Sequence, residues 1–327
     1  MTTQITDVTS PYREQFLDAI NKADQYWRDR NAVGGIQSGF SLFDYHNDGL
    51  QPGLTILCGG PNVGKTAFLM QMAMQTSQAN DDIYVVYYTL DDSMYTVVPR
   101  GAANLGGLPI NAVKFPTVYQ ERCNMTETRR ESGLTRLRDL SPKFAIISEN
   151  EIIGGNTIGG IQQSITELLD QLGDTQLVVF IDNFHDITCD ITNDTNAKFE
   201  YISKQLKGFA NNKFIPILCT AELRKHGLRR PTSMEDIRNS NATSYDADSI
   251  VSCFNEVSLR GEQAKVFFED PQIPEEDQFK RQVLELNFIK NKLSGYKGRL
   301  FYHFFHEMAR LHECNAEMLA YYNSLIR

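Results

Sequence analysis

Long apolar runs are missing from this sequence. No stretch approaches the ~20 apolar residues of a membrane-spanning helix, so a bilayer-embedded core is excluded and no membrane partner is expected. The first thirteen residues carry no apolar signal core and no arginine-rich transit pattern. Six cysteines are present, Cys58, Cys123, Cys189, Cys219, Cys253 and Cys314, but none forms a CxxC pair, which argues against zinc ribbons and redox motifs. Cys58, Cys189, Cys219 and Cys253 sit in apolar runs and read as buried thiols of a reducing compartment. There is no internal repeat and no low-complexity tract. Basic residues are in deficit, 32 against 41 acidic ones in 327, for a net charge of −9. That balance argues against a protein that coats nucleic acid, although it says little about a local groove.

What is present is an alternation of strands and helices. Apolar spacing predicts a helix over 11–30, with Phe16, Ala19, Ile20, Ala23 and Trp27 on one stripe. That stripe needs burial, either on its own domain or on a neighbouring subunit. Strands are predicted at 54–58, 83–90, 144–148, 177–182, 214–220, 250–254, 283–290 and 299–305. Helices are predicted at 66–75, 118–139, 158–172, 199–211 and, near the end, 315–326, where packing on the domain competes with partner docking. The pattern predicts an α/β fold with a mainly parallel sheet covered on both faces. A short Ser-Gly connection predicts that the last two strands form an antiparallel hairpin. The segment 269–277, with two prolines and five acidic residues, reads as an exposed loop.

The sharpest motif is Gly59-Gly60-Pro61-Asn62-Val63-Gly64-Lys65-Thr66. It fits GxxxxGK(S/T), with a predicted strand before it and a helix after it. Glycines let the backbone approach phosphate oxygens, and successive N–H groups form an anion nest. The helix N-terminus adds partial positive charge. Lys65 can reach the β- and γ-phosphates, and the Thr66 hydroxyl can ligate Mg²⁺. The implied ligands are ATP and Mg²⁺. The apolar run 177–181 ends in Asp182, which would hold that Mg²⁺ directly or through water.

Further tracts make the reading more specific. They are Gly35-Ile36-Gln37-Ser38-Gly39-Phe40, then Phe43-Asp44, then Gly49-Leu50-Gln51-Pro52-Gly53 ahead of the loop. After it come Tyr88-Thr89-Leu90-Asp91-Asp92-Ser93, Ile181-Asp182-Asn183-Phe184, the stretches 201–207 and 216–223, Asp236-Ile237-Arg238-Asn239-Ser240 with Asp246-Ala247-Asp248, and Ile289-Lys290-Asn291-Lys292. In this order, over about residues 34–312, they resemble the motor domain of DnaB-type replicative helicases, a RecA-like P-loop NTPase fold. The resemblance implies an arm with a linker helix over 1–33, docking on the adjacent subunit, and a motor domain over 34–327. It also implies a ring, hexameric in this family, translocating on single-stranded DNA. A primase, a loader or a polymerase is a further candidate partner. The compartment implied is the cytoplasm of a bacterium or a phage-infected host. Fewer than 35 residues precede the motor, so an N-terminal primase-interacting domain is not expected, a minimal phage-like form.

The resemblance also assigns roles, position by position. The family's catalytic glutamate is matched by Asp91, one methylene shorter, with Asp92 beside it as a second carboxylate. The competing reading makes both ordinary residues at a helix N-terminus. The family's γ-phosphate-sensing glutamine is matched by Glu222, an acid facing a polyphosphate. The lysine and arginine finger reaching a neighbouring site are matched by Lys290 and Lys292, and lysine lacks arginine's planar fork. The tract holding Arg238, Asn239 and Asn241 matches the family's DNA-contacting loop. Residues 201–230 carry seven Lys/Arg against Glu222 alone, and 280–299 carry six against Glu285 alone, a local surplus suited to phosphate contact. The three departures leave a second expectation, an ATP-gated clamp or assembly factor with weak hydrolysis. A RecA/RadA-like recombination ATPase is a third, against which the linker-like helix and the Lys290/Lys292 tract argue.

Overall fold

The sheet is laid out around its first strand. The computed structural model describes residues 11–28, 35–120, 126–192, 194–223, 229–231, 233, 236, 246–270 and 273–326. Its strands are β1 (Gly53–Gly59), β2 (Ile83–Thr89), β3 (Phe144–Ser148), β4 (Gln176–Asp182), β5 (Pro216–Glu222), β6 (Ser249–Asn255), β7 (Gln282–Asn291), β8 (Arg299–Phe305) and β9 (Arg310–Glu313). The helices are α1 (Pro11–Arg28), α2 (Ser41–Asn47), α3 (Lys65–Ala79), α4 (Met94–Gly106), α5 (Ile110–Lys114), α6 (Pro116–Gln120), α7 (Thr126–Asp139), α8 (Ile158–Leu172), α9 (Thr195–Lys213), α10 (Glu256–Arg260) and α11 (Ala316–Ile326).

Strand order is β3-β2-β4-β5-β1-β6-β7-β8-β9. From β3 to β6 every pairing is parallel, and β7, β8 and β9 extend the sheet antiparallel. This is the expected mainly parallel α/β architecture with its β7–β8 hairpin. β1 is buried at every residue because successive side chains alternate between two covered faces. Leu57 points into one core with Phe40, Phe68 and Tyr302. Leu54, Ile56 and Cys58 point into the other, with Val179, Ile181 and Ile202. Phe40, Phe68 and Tyr302 meet with ring centroids 5.0–5.3 Å apart, each pair worth about 0.5–1.5 kcal/mol beyond burial.

The ends of the domain are tied together by carboxylates. Glu313 on β9 accepts the Ser41 N–H at 2.9 Å, the Ser41 hydroxyl at 2.7 Å and the Leu42 N–H at 2.8 Å, capping α2. Asp44 accepts the Ser38 N–H through both oxygens, at 2.9 and 3.1 Å. Asp248 accepts the Leu54 N–H at 2.9 Å and pairs with Lys207, and Asp246 pairs with the Ser203 hydroxyl. The Asp246-Ala247-Asp248 tract thus joins α9 to the start of β1.

Several boundaries differ from the sequence reading. The charged helix expected over 118–139 is divided into α6 and α7, with 121–125 outside the described residues. The strand expected from 214 starts at Pro216, because Phe214 caps α9 in a left-handed conformation, φ 56°. α2, α4, α5, α10 and β9 have no counterpart in the sequence reading. Cys189 is only half-buried, whereas Cys314 is buried, held under α11 with Phe301 and Tyr322. α11 packs on β8, where Tyr322 Oη lies 2.9 Å from His303 Nε2. The apolar residues Phe16, Leu17 and Ile20 of α1 are exposed, Phe16 by 66 %. Among the described residues no helix is long and apolar enough to cross a membrane.

Candidate functional site

Register brings the predicted residues to one edge of the sheet. Gly59, the last residue of β1, lies opposite Glu222, the last of β5. Thr89, the last of β2, lies opposite Asp182, the last of β4. Asp91 follows two residues beyond Thr89. The C-terminal ends of parallel strands flank the crevice where α/β sheets bind ligands, and the loop 59–66 opens there into α3. Gly64 begins that helix at φ +112°, and a side chain on it would meet the Phe304 ring at 2.9 Å. Both the conformation and the close ring require glycine.

Lys65 Nζ donates to the loop's own carbonyls, Gly59 O at 3.0 Å and Gly60 O at 2.8 Å. The ammonium is thereby held over the nest, with contacts that phosphate oxygens can replace. A cavity of about 390 Å³ opens beside it, lined among others by Asn62, Lys65, Thr66, Arg100, Ser258 and His306. A larger cavity, about 530 Å³, lies between α3, α4, α7 and β9 and is lined by Gln71, Gln75, Arg136 and Arg310. It contains no residue of the phosphate loop, so the smaller cavity is the one that matches the chemistry.

Asp182 is buried and accepts two hydroxyl hydrogen bonds, from Tyr87 at 2.9 Å and from Thr220. With Thr66 it supplies hard oxygen donors, a set that fits a Mg²⁺ keeping most of its waters. Asp91 is exposed and carries no side-chain hydrogen bond or ion pair among the described residues. Its carboxyl is pushed above the usual aspartate range by partial burial, then by the negative charges of Asp92, Asp182 and Glu222. Asp92, beside it, is engaged elsewhere. Its carboxylate pairs with Arg100 on α4, and its carbonyl accepts the Thr89 hydroxyl at 2.6 Å.

Lys290 and Lys292 lie back from that edge, at and just past the end of β7. Lys290 lies opposite Ile250, and Ile250 lies opposite Ile56, three residues before Gly59. That is about 10 Å of strand away from the loop, before the lateral separation is added. Between the two lysines, the buried Asn291 donates to Asn47 Oδ1 and Ser294 Oγ, both at 2.8 Å, and the Lys292 N–H donates to Asp248 O at 2.8 Å. Burial, then the Lys292 charge, lowers the Lys290 ammonium below the usual lysine range. Arg238, Asn239 and Asn241 lie outside the described residues.

The basic tracts need correction. Arg230 pairs with Glu256 at 2.5 Å and Glu285 at 2.8 Å, and Arg299 pairs with Glu285 at 2.9 Å. Arg229 pairs with Asp236, Arg281 with Glu307 and Lys204 with Glu200. Among the described residues, part of the charge surplus counted in sequence is therefore matched by acids, Glu200 on the same helix as Lys204 and Glu256 and Glu307 further along the chain.

Sequence reasoning missed three residues here. Arg100 had one signal, since it is the only charged residue of α4. Asp186 has its Oδ2 buried without a hydrogen-bond partner, and burial followed by the Asp91, Glu222 and Asp182 charges raises its carboxyl to about 6. His185 accepts the Glu222 backbone N–H through Nδ1 at 3.1 Å. Neither showed any pattern in sequence.

Residues 35–313 match the family described as the DnaB-like helicase C-terminal domain. The chain belongs to this family. It is 24 % identical over 225 residues to a replicative DNA helicase DnaB from Helicobacter pylori, covering 67 % of this chain and 43 % of that one. It is 26 % identical over 203 residues to a probable plasmid replicative DNA helicase from Chlamydia trachomatis, covering 60 % of this chain and 41 % of that one. The chain thus spans less than half the length of these relatives. A solved ATPase domain superposes with a TM-score of 0.76 at 17 % identity, covering 94 % of this chain and all of that one. A DnaB-like replicative helicase studied with primase superposes with a TM-score of 0.74 at 16 % identity, covering 94 % of this chain and 68 % of that one. The DnaB-like family and the fold agree with the motif order at the sheet edge.

Proposed function

We propose that this chain is the motor of a DnaB-like helicase, binding ATP with Mg²⁺ between subunits of a ring and translocating on single-stranded DNA. The observation that carries this reading is the separation of the site residues into two groups on one sheet. Lys65, Thr66, Asp182, Asp91 and Glu222 gather at one edge, and Lys290 lies about three residues of strand back from it and two strands across, with Lys292 beyond. That separation supports a lysine pair that serves the loop of another copy rather than its own. A head-to-tail contact of that kind gives a ring where its rotation closes, and six copies is the family's number. The exposed Phe16, Leu17 and Ile20 support an arm, residues 1–33, that covers this face on a neighbouring copy, beside a motor over 34–327.

Within the site, Lys65 and the loop N–H groups hold the triphosphate. Mg²⁺ would be held by Thr66 and Asp182 and would neutralise phosphate charge. Asp91 orients and deprotonates the attacking water, and its raised carboxyl favours that proton uptake. Glu222 couples the site to the loop that follows β5, whose Arg238, Asn239 and Asn241 contact the DNA backbone. Lys290 and Lys292 of the next copy stabilise charge on the transferred phosphoryl group. Primase, loader or polymerase binding and residence in a bacterial or phage-infected cytoplasm accompany this reading.

The second reading is an ATP-gated clamp that assembles on DNA with little turnover. Two acids at the positions of Asp91 and Glu222, coupled to Asp186, favour it, because like charges resist a polyphosphate. One experiment separates the two. ATPase is measured with and without single-stranded DNA, alongside unwinding of a forked duplex. Stimulated turnover with unwinding supports the motor, and ATP-dependent rings without turnover refute it.

A further inference from the structure

We propose that Tyr87 and Thr220 are positioning residues, two hydroxyls that hold the Asp182 carboxylate so that it meets a nucleotide-bound divalent cation through the cation's water. The proposal rests on the nucleotide site described above and deepens it. Tyr87 lies two residues before the end of β2, and Thr220 lies two residues before the end of β5. Asp182, on β4 between them, is flanked from both sides by the parallel register. Tyr87 and Thr220 are fully buried and Asp182 is 6 % exposed. The Tyr87 hydroxyl donates to Oδ2 at 2.9 Å, and the Thr220 hydroxyl donates to Oδ1.

The two hydroxyls donate and the Asp182 oxygens accept. Each carboxylate oxygen has one of its two lone-pair sites occupied. The plane of the group is therefore fixed by two strands, and one site on each oxygen is left for a further donor. Two donors also draw charge from the oxygens, which weakens them as direct ligands. A small cation that dehydrates reluctantly is met through its water by such a group. Partners of this kind fix the orientation of metal-site carboxylates. A buried tyrosine hydroxyl needs an acceptor in any fold, so the opposing reading is that the three groups merely satisfy one another.

Binding, not turnover, separates the two. The full chain and its Tyr87→Phe, Thr220→Val and Thr220→Ser variants are titrated with a fluorescent ATP analogue at a series of Mg²⁺ and Mn²⁺ concentrations. We expect the cation concentration at half-effect to rise about 10–100-fold in Tyr87→Phe and in Thr220→Val, with analogue affinity in chelator changed less than about twofold. Thr220→Ser keeps the hydroxyl and should stay near wild type. If Tyr87→Phe fails to fold, the Thr220→Val and Thr220→Ser pair carries the test. A cation requirement unchanged in Thr220→Val overturns the proposal while leaving the nucleotide site standing. Equal losses in Thr220→Val and Thr220→Ser also overturn it, because shape rather than the hydroxyl then matters. A wild-type chain that binds no analogue with either cation overturns the nucleotide site and the clamp together.

Discussion

Arg100 pairs with Asp92, while Asp91, its neighbour in sequence, has no cationic partner among the described residues. The two carboxylates that look interchangeable in sequence therefore have different environments. Asp91 faces Asp182 and Glu222, which raise its carboxyl, and Arg100 is the nearby charge that lowers it.

If Asp91 is the base, turnover falls as pH drops through its raised pKa, because the protonated form cannot accept the water's proton. Arg100→Ala removes the lowering charge, so the acid limb of the pH–rate profile should move to higher pH. Asp92→Asn removes a raising charge, so the limb should move to lower pH. Shifts in the same direction would remove Asp91 from the role, as would full ATPase activity in Asp91→Ala. Asp91→Glu should lower turnover, since the site is spaced for the shorter side chain.

Lys65→Ala should lower ATP turnover by about 10²–10³-fold, the scale of losing one preorganised phosphate donor. Steady-state ATPase with heat unfolding as a control checks this. Retained activity would refute the assignment of the loop.

Lys290→Ala should be inactive alone for a different reason, and the two variants should complement. In a one-to-one mixed ring, roughly a quarter of interfaces join an intact loop to an intact lysine. Mixing Lys65→Ala with Lys290→Ala should restore activity above either alone. No recovery would mean that Lys290 does not act across a subunit boundary.

Arg230→Ala should destabilise the domain by about 3 kcal/mol, the lower part of the range for breaking a buried ion pair. Glu256 and Glu285 are buried at 1 % and 4 % side-chain exposure, and Arg260 and Arg299 remain as their second partners. Arg230→Lys should restore only part, because one ammonium cannot span both carboxylates as the fork does. Denaturant midpoints measure this, and a wild-type midpoint in Arg230→Ala would rule out the anchor.

Asp44 gives a pH dependence of stability with a definite sign. Burial raises its carboxyl to about 6, against the Ser38 hydrogen bonds that lower it. The folded state then holds this proton more tightly than the unfolded state. Stability from the group is full below the ordinary value and is lost as pH rises through about 6. Asp44→Asn removes that loss while keeping an acceptor for Ser38. The variant should therefore gain on wild type between pH 4 and 7 by on the order of 3 kcal/mol. A constant difference across that window would show that Asp44 titrates normally.

The phosphate loop was legible because all its chemistry sits in eight consecutive residues. The alternation of apolar runs showed most strands, since each is buried on two faces. β9 was not legible, because Arg310–Glu313 is short and holds one apolar residue. α4 was hidden by Pro99 and Gly101 in its middle, both of which read as helix breakers. The charge tracts were legible only in part, because a windowed count cannot see partners distant in sequence. Arg230 meets Glu256 and Glu285, 26 and 55 residues further along the chain. The Arg100–Asp92 pair was invisible for a related reason, since it depends on where α4 starts.

β1 stands at the centre of the sheet, yet both its neighbours are late in the chain, at Pro216–Glu222 and Ser249–Asn255. A ribosome must therefore release about two thirds of the protein before the strand that leads into the phosphate loop gains either flank. Until then its apolar edges stay open to other nascent chains. Translation pauses or cleavage before β5 would leave a fragment that carries the whole nucleotide motif without a nucleotide site.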